Sequence, residues 1–114
     1  MKELTVGFST CPNDTFMFQA MVHGGIDQKG FSFRPVLKDI FHLNQMAMNE
    51  ELDVIKVSYN TFGHLTETYQ LLDSGSALGH NCGPLIISKE PLTIEEIINQ
   101  NLPVGIPGKN TTAN

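Results

Sequence analysis

Three polar stretches hold most of the side chains that could bind or transform a small molecule: Ser9-Thr10-Cys11-Pro12-Asn13-Asp14-Thr15, Lys56-Val57-Ser58-Tyr59-Asn60-Thr61 and Pro107-Gly108-Lys109-Asn110-Thr111-Thr112. Each follows a short apolar run, and each offers hydroxyl or amide groups together with the free N–H groups of a helix start. Such a set could surround a small anionic or polar molecule. Asn, Asp, Ser and Thr are also ordinary helix caps and turn formers, and that explanation is the better one for any single stretch. The threefold repetition, with more hydroxyls than capping needs, points to a site.

Other reactive side chains carry weaker signals. Cys11 lies near a helix start, a place that favours a thiolate, yet a small buried thiol beside a turn proline is the simpler reading. His80 and Cys82 flank Asn81 and could line a cleft, but two residues do not make a metal site. His23, His42 and His64 stand singly, with no histidine three or four positions away. The run from Gly105 to Thr111 has a superficial likeness to a phosphate loop. That motif needs a Gly five positions before the Gly-Lys pair and a Ser or Thr directly after it, where Pro103 and Asn110 stand. No nucleoside triphosphate or metal site is expected.

The elements that must position these loops alternate between strand and helix. Residues 4–8 form an apolar run suited to a parallel strand covered on both faces. Asn13 or Asp14 is then placed to cap a helix using Phe16, Met17, Ala20 and Met21 as its inner face and ending at Gly24-Gly25. Residues 31–36 alternate as a second strand with Phe31 and Phe33 on one face, and Pro35 assigns it to an edge or a strand end. Asp39 caps a second helix with Ile40, Leu43, Ala47 and Met48 at helical spacing. Residues 53–57 are a third strand, leading into a helical stretch with Phe62, Leu65 and Tyr69. This alternation calls for a parallel sheet. From Gln70 onward glycines become frequent, a short strand is expected at 85–88, and Thr93-Ile94-Glu95-Glu96 is a capping-box signature. A last strand is expected at 103–106.

Composition narrows the class further. The chain has 114 residues, 40% apolar and 17% charged, which suits one soluble globular unit. Its formal charge is −5, with 7 basic residues scattered singly, so nucleic acid is not an expected partner. Apolar runs such as Leu85-Ile86-Ile87 are far too short to span a bilayer, and the first residues lack a signal peptide's apolar segment. A cytoplasmic location is expected. Cys11 and Cys82 form no C-x-x-C pair and are expected as free thiols.

The same residues carry a family resemblance. Ser9 to Phe16, Glu51-Leu52-Asp53-Val54-Ile55-Lys56-Val57-Ser58, the stretch Gly79 to Pro84 with its Cys-Gly-Pro, and Pro107 to Asn114 resemble, in order along the chain, the 1,4-dihydroxy-6-naphthoate synthases of the futalosine route to menaquinone. The resemblance implies an α/β fold like the type II periplasmic binding proteins, with two lobes of mainly parallel sheet that close over a ligand. It places residues 1–88 in the first lobe with its crossover strands, and residues 89–114 at the start of the second. It implies a lyase that breaks cyclic dehypoxanthinyl futalosine down to 1,4-dihydroxy-6-naphthoate and dihydroxyacetone without metal or cofactor.

By the same resemblance Lys56, Val57, Ser58, Thr111 and Thr112 bind a carboxylate-bearing substrate, while Ser9, Cys11, Asn13, Asp14, Cys82 and Lys109 line the cleft. Lys56 or Lys109 would neutralise the substrate carboxylate. The proton-accepting histidine of the family is expected beyond Asn114, so the chain reads as an incomplete amino-terminal portion, inactive alone and prone to pair through an open edge with another copy. Two alternatives share the fold: the chorismate-derived dehydratase of the same route, and a non-catalytic solute-binding protein.

Overall fold

A computed structural model describes residues 1–112; Ala113 and Asn114, the last two residues of the final motif, lie outside the described residues. Three strands, β1 (Lys2–Phe8), β2 (Phe31–Leu37) and β3 (Val54–Ile55), form one parallel sheet in the order β2-β1-β3. Parallel neighbours need a crossover between them. Helix α1 (Pro12–Val22) links β1 to β2, and α2 (Ile40–Met48) links β2 to β3. A single turn, α3 (Tyr59–Phe62), follows β3, and α4 (Ile94–Asn99) stands apart later in the chain.

β1 is central, paired with β2 along one side and β3 along the other, and its second half is buried. Val6 and Phe8 are buried on it. Between them Gly7 allows a close approach from above: a methyl there would sit 2.5 Å from Leu52 Cδ1, 3.1 Å from Leu43 Cδ2 and 3.2 Å from Ile55 Cγ1. Leu43 and Ala47 of α2 are fully buried, so α2 packs against β1 over this glycine. β2 pairs along its whole length, Lys2 with Phe31 through Phe8 with Leu37. It is an edge strand, as Pro35 requires, and the Phe31 and Phe33 rings share a face at 6.4 Å. β3 pairs only Val6 with Val54 and Gly7 with Ile55, extended by Lys56 N–H donating to the Gly7 carbonyl at 2.8 Å. Asp53 strengthens this short pairing, since Oδ2 accepts from both the N–H and the hydroxyl of Thr5 at 2.8 Å.

Two local expectations differ from what is observed. α1 starts at Pro12 with Cys11 as its N-cap residue and no side-chain cap, so neither Asn13 nor Asp14 caps it. Asp14 instead turns into the interior, 2% exposed. Residues three, four, seven and eight places on share its face. Met17, Phe18, Met21 and Val22 are therefore the half-buried set, with Phe18 stacked on Phe8 at 4.7 Å, and Phe16 is thrown outward at 86% exposure. The expected caps further on are present: Asp39 accepts from His42 N–H at 2.9 Å, and Thr93 and Glu96 form a reciprocal capping box.

The stretches 85–88 and 103–106 are not strands. Apolar alternation is only half of a strand, and among the described residues neither stretch meets a ladder partner; Leu85 and Ile87 are almost fully exposed. The helical stretch after Ser58 is also shorter than expected, with Leu65 buried and Tyr69 reached through turns, where the Tyr69 hydroxyl donates to the Leu52 carbonyl at 2.7 Å. A compact chain of this length has a radius of gyration of about 13 Å, whereas this one has 17.4 Å and extents of 59 × 30 × 23 Å. The packed core is confined to the first 69 residues or so, under α2 and the central strand. Leu43→Ala should therefore cost about 3 kcal/mol, measured as a shift in the urea midpoint, with little change in the slope of the transition.

Candidate functional site

All three strands of a parallel sheet end at the same edge. The loops leaving β1 and β3 therefore lie side by side, and adjacent strands bring Ser9 to Thr15 against Lys56 to Thr61. Asp14 joins them. Its Oδ2 accepts from Ser9 N–H at 2.9 Å and from the Ser9 hydroxyl at 2.7 Å, while Oδ1 accepts from the Lys56 ammonium. The Asp14 and Lys56 side chains are 3% and 21% exposed, so this is an ion pair largely withdrawn from water. Burial pushes the Asp14 carboxyl up, but the hydrogen bonds from Lys56 and Ser9, together with the Lys56 charge, outweigh it and hold the pKa below the ordinary 3.8.

Ser58 is held from the other side. Asn44 on α2, 2% exposed, accepts from Ser58 N–H at 3.0 Å and donates to Ser58 Oγ at 3.2 Å. A buried amide must find partners for both ends, and here one backbone and one side-chain group of the same residue satisfy it. Asn44 carried no signal at the sequence level beyond being a polar residue on the inner stripe of an amphipathic helix, one place after Leu43.

The third polar stretch reaches the same place without a strand before it. The Thr61 hydroxyl donates to the Asn110 carbonyl at 2.7 Å, and Asn60 N–H donates to Thr112 Oγ1 at 3.1 Å. Thr61 is fully buried and Thr111 nearly so, its hydroxyl donating to the Gly108 carbonyl at 2.9 Å. Gly108 has φ of +130°, a conformation open to glycine and strained for other residues. A side chain there would also meet Phe41 Cδ2 at 2.9 Å. The turn is thus seated between α2 and α3.

Of the residues singled out by sequence, the structure joins Ser9, Asp14 and Lys56 by direct bonds, holds Ser58 on Asn44 two places after Lys56, and seats Thr112 on Asn60 with Thr111 buried beside it. Val57 is half-buried beside Ser58, and Cys11 and Asn13 lie exposed on the first turn of α1. Lys109 lies on the exposed turn preceding Thr111. Cys82 is exposed in the glycine-rich crossover and makes no hydrogen bond to the other three stretches among the described residues. No group of three His, Cys, Asp or Glu side chains suited to a metal forms among the described residues, and no helix is long and apolar enough to cross a membrane.

The polar loops leaving β1 and β3 meet at the carboxyl edge of a parallel sheet, the edge at which open α/β sheets commonly hold their ligands. A model of the menaquinone biosynthesis family matches residues 4–114, and the chain belongs to that family. It is 42% identical over 113 residues to the 1,4-dihydroxy-6-naphthoate synthase of Thermus thermophilus, covering 99% of this chain and 40% of that protein. It is 36% identical over 110 residues to the synthase of the same name from Streptomyces coelicolor, covering 96% of this chain and 37% of that protein. The chain thus spans well under half the length of the curated relatives it matches. The crystal structure of protein AF1704 from Archaeoglobus fulgidus superposes with a TM-score of 0.71 at 31% identity, over 79% of this chain and 34% of that one.

Two measurements follow from this geometry. The unfolded chain protonates Asp14 near 3.8, and the fold resists protonation to a lower pH. The stability that Asp14 contributes is therefore complete above that value and is lost as pH falls from it through the folded pKa. Asp14→Asn should flatten the acid limb of a plot of stability against pH. Thr61→Val keeps the shape of the side chain and removes its donor, so the Thr111 amide should exchange with solvent about fivefold faster, the effect of one hydrogen bond worth about 1 kcal/mol, while exchange along β1 stays unchanged.

Proposed function

We propose that these residues belong to a 1,4-dihydroxy-6-naphthoate synthase, a lyase that converts cyclic dehypoxanthinyl futalosine to 1,4-dihydroxy-6-naphthoate and dihydroxyacetone in cytoplasmic menaquinone biosynthesis. Family membership supports the pathway. The observation that carries the site is the direct seating of 110–112 on 60–61, by the Thr61 and Thr112 hydroxyl contacts at 2.7 and 3.1 Å. It sets Ser58 and the Thr111-Thr112 pair, the two segments that the family resemblance assigns to substrate, on neighbouring turns.

In this reading Lys56, Val57, Ser58, Thr111 and Thr112 bind the substrate, and Ser9, Cys11, Asn13, Asp14, Cys82 and Lys109 line or support the cleft. Residues 1–88 belong to the first of two lobes of a fold like the type II periplasmic binding proteins, and 89–114 begin the second. The exposed apolar side chains at 85–87 and 104–106 are covered by the second lobe, or by another copy when the segment is isolated. Preformed hydroxyl and N–H donors orient a carboxylate or ring oxygen, and closure of the lobes excludes water while a base withdraws a proton to start bond cleavage. The proton transfer is assigned to a histidine beyond Asn114, and the residues here supply binding and orientation.

Incubation of the intact protein with cyclic dehypoxanthinyl futalosine should release 1,4-dihydroxy-6-naphthoate, followed by its absorbance, and residues 1–114 alone should release none. Ser58→Ala should lower kcat/KM about tenfold or more, the loss of one oriented hydrogen bond to a charged group. Binding of the cyclic substrate without product would favour a solute-binding protein of the same fold, and turnover of chorismate instead would favour the dehydratase.

A further inference from the structure

The Asp14–Lys56 pair has a role that the binding assignment does not contain. Asp14 sits in the first turn of α1 and Lys56 at the end of β3, 42 residues apart. Each oxygen of the Asp14 carboxylate is engaged, Oδ1 by the Lys56 ammonium and Oδ2 by the Ser9 N–H and hydroxyl. The Ser9 hydroxyl also accepts from Cys11 N–H at 3.3 Å, so Ser9 too is committed to the loop. At 3% exposure the carboxylate cannot fall back on water if Lys56 leaves, and a buried charge stripped of its partner is strongly destabilising. The two charges cancel locally, so the pair offers a ligand anion little net attraction.

Resting on the proposed substrate site, we propose that Asp14 is a positioning residue that fixes the Lys56-Val57-Ser58 segment, and that the Lys56 ammonium serves Asp14 and not the ligand's carboxylate. Lys56 then contributes to binding through the backbone it anchors, by setting where Val57 and Ser58 stand. The loops leaving β1 and β3 are tied to each other before any ligand arrives.

The test is a double-mutant cycle in the intact protein with Asp14→Asn, Lys56→Met and the pair D14N/K56M, and Lys56→Arg as the charge-retaining variant. The probes are 1,4-dihydroxy-6-naphthoate and 1,4-dihydroxynaphthalene, which lacks the carboxylate. Each single neutralisation should weaken both probes alike, by about tenfold. The double variant, which leaves no unpaired charge, should return to within about threefold of the unaltered protein, as should Lys56→Arg.

If Lys56→Met weakens the naphthoate alone and the double variant is no better, Lys56 pairs with the ligand and the proposal is wrong. Amide exchange at Lys56 and Ser58 reads the positioning without a ligand. It should quicken about tenfold in Asp14→Asn and recover in D14N/K56M, while amides of the β1–β2 ladder stay constant. Equal exchange in all variants overturns the proposal even where the singles fold normally. Should the unaltered protein bind neither probe, the substrate reading fails, and the exchange cycle still decides whether Asp14 holds the segment.

Discussion

Parallel strands cannot be joined by a tight turn, and nearly everything in this molecule follows from that constraint. Each connection has to run back along a face of the sheet, so the chain alternates strand and helix, and every strand delivers its following loop to the same edge. β1 lies between β2 and β3. Its loop is consequently flanked by the loops of both neighbours. An ionic contact between residues 42 positions apart, Asp14 and Lys56, becomes geometrically short only because the strands that carry them are adjacent. The site is a product of sheet order before it is a product of side-chain chemistry.

The sheet order in turn depends on a small, local device. β3 contributes only Val54 and Ile55 to the ladder, too little to hold a strand by backbone pairing alone. Asp53 supplies the remainder through Thr5, whose N–H and hydroxyl both donate to it and whose oxygen accepts from Asp53 N–H at 2.9 Å. Leu43, Leu52 and Ile55 close over Gly7 from above. Side-chain hydrogen bonds and one missing methyl thus do what a longer strand would otherwise do.

Much of this was legible in the sequence wherever the cause was local. The Asp39 cap, the Thr93–Glu96 box, the edge placement of the strand with Pro35, and the burial of Leu43 and Ala47 each depend on residues within a few positions of one another. Reading failed where a distant partner decided the outcome. Asp14 has the right type and place for a cap, yet Ser9 and the distant Lys56 together hold it in the interior, on the helix face that also carries Phe18 inward while Phe16 points outward. Residues 85–88 and 103–106 have strand-like patterning, yet strands are defined by neighbours, and the described chain sets none beside them. The seating of Asn110 and Thr112 on α3 was invisible for the same reason, although the polar residues involved were singled out by type.

The contact between Asn44 and Ser58 fixes more than position. Ser58 N–H can only donate, so the Asn44 oxygen must face it and the Asn44 NH₂ must face Ser58 Oγ. One lone pair of that oxygen is therefore occupied, and the hydroxyl proton has to point elsewhere. Thr112 is in the same condition, because its oxygen already accepts from Asn60 N–H. Ser9, Thr61 and Thr111, by contrast, spend their protons inside the protein. Of these five hydroxyls, three give their proton to a protein acceptor, and two, on Ser58 and Thr112, accept without donating to another described residue. A hydroxyl whose oxygen is already engaged and whose proton is not is biased toward donation, so this edge gains donor character from neutral side chains.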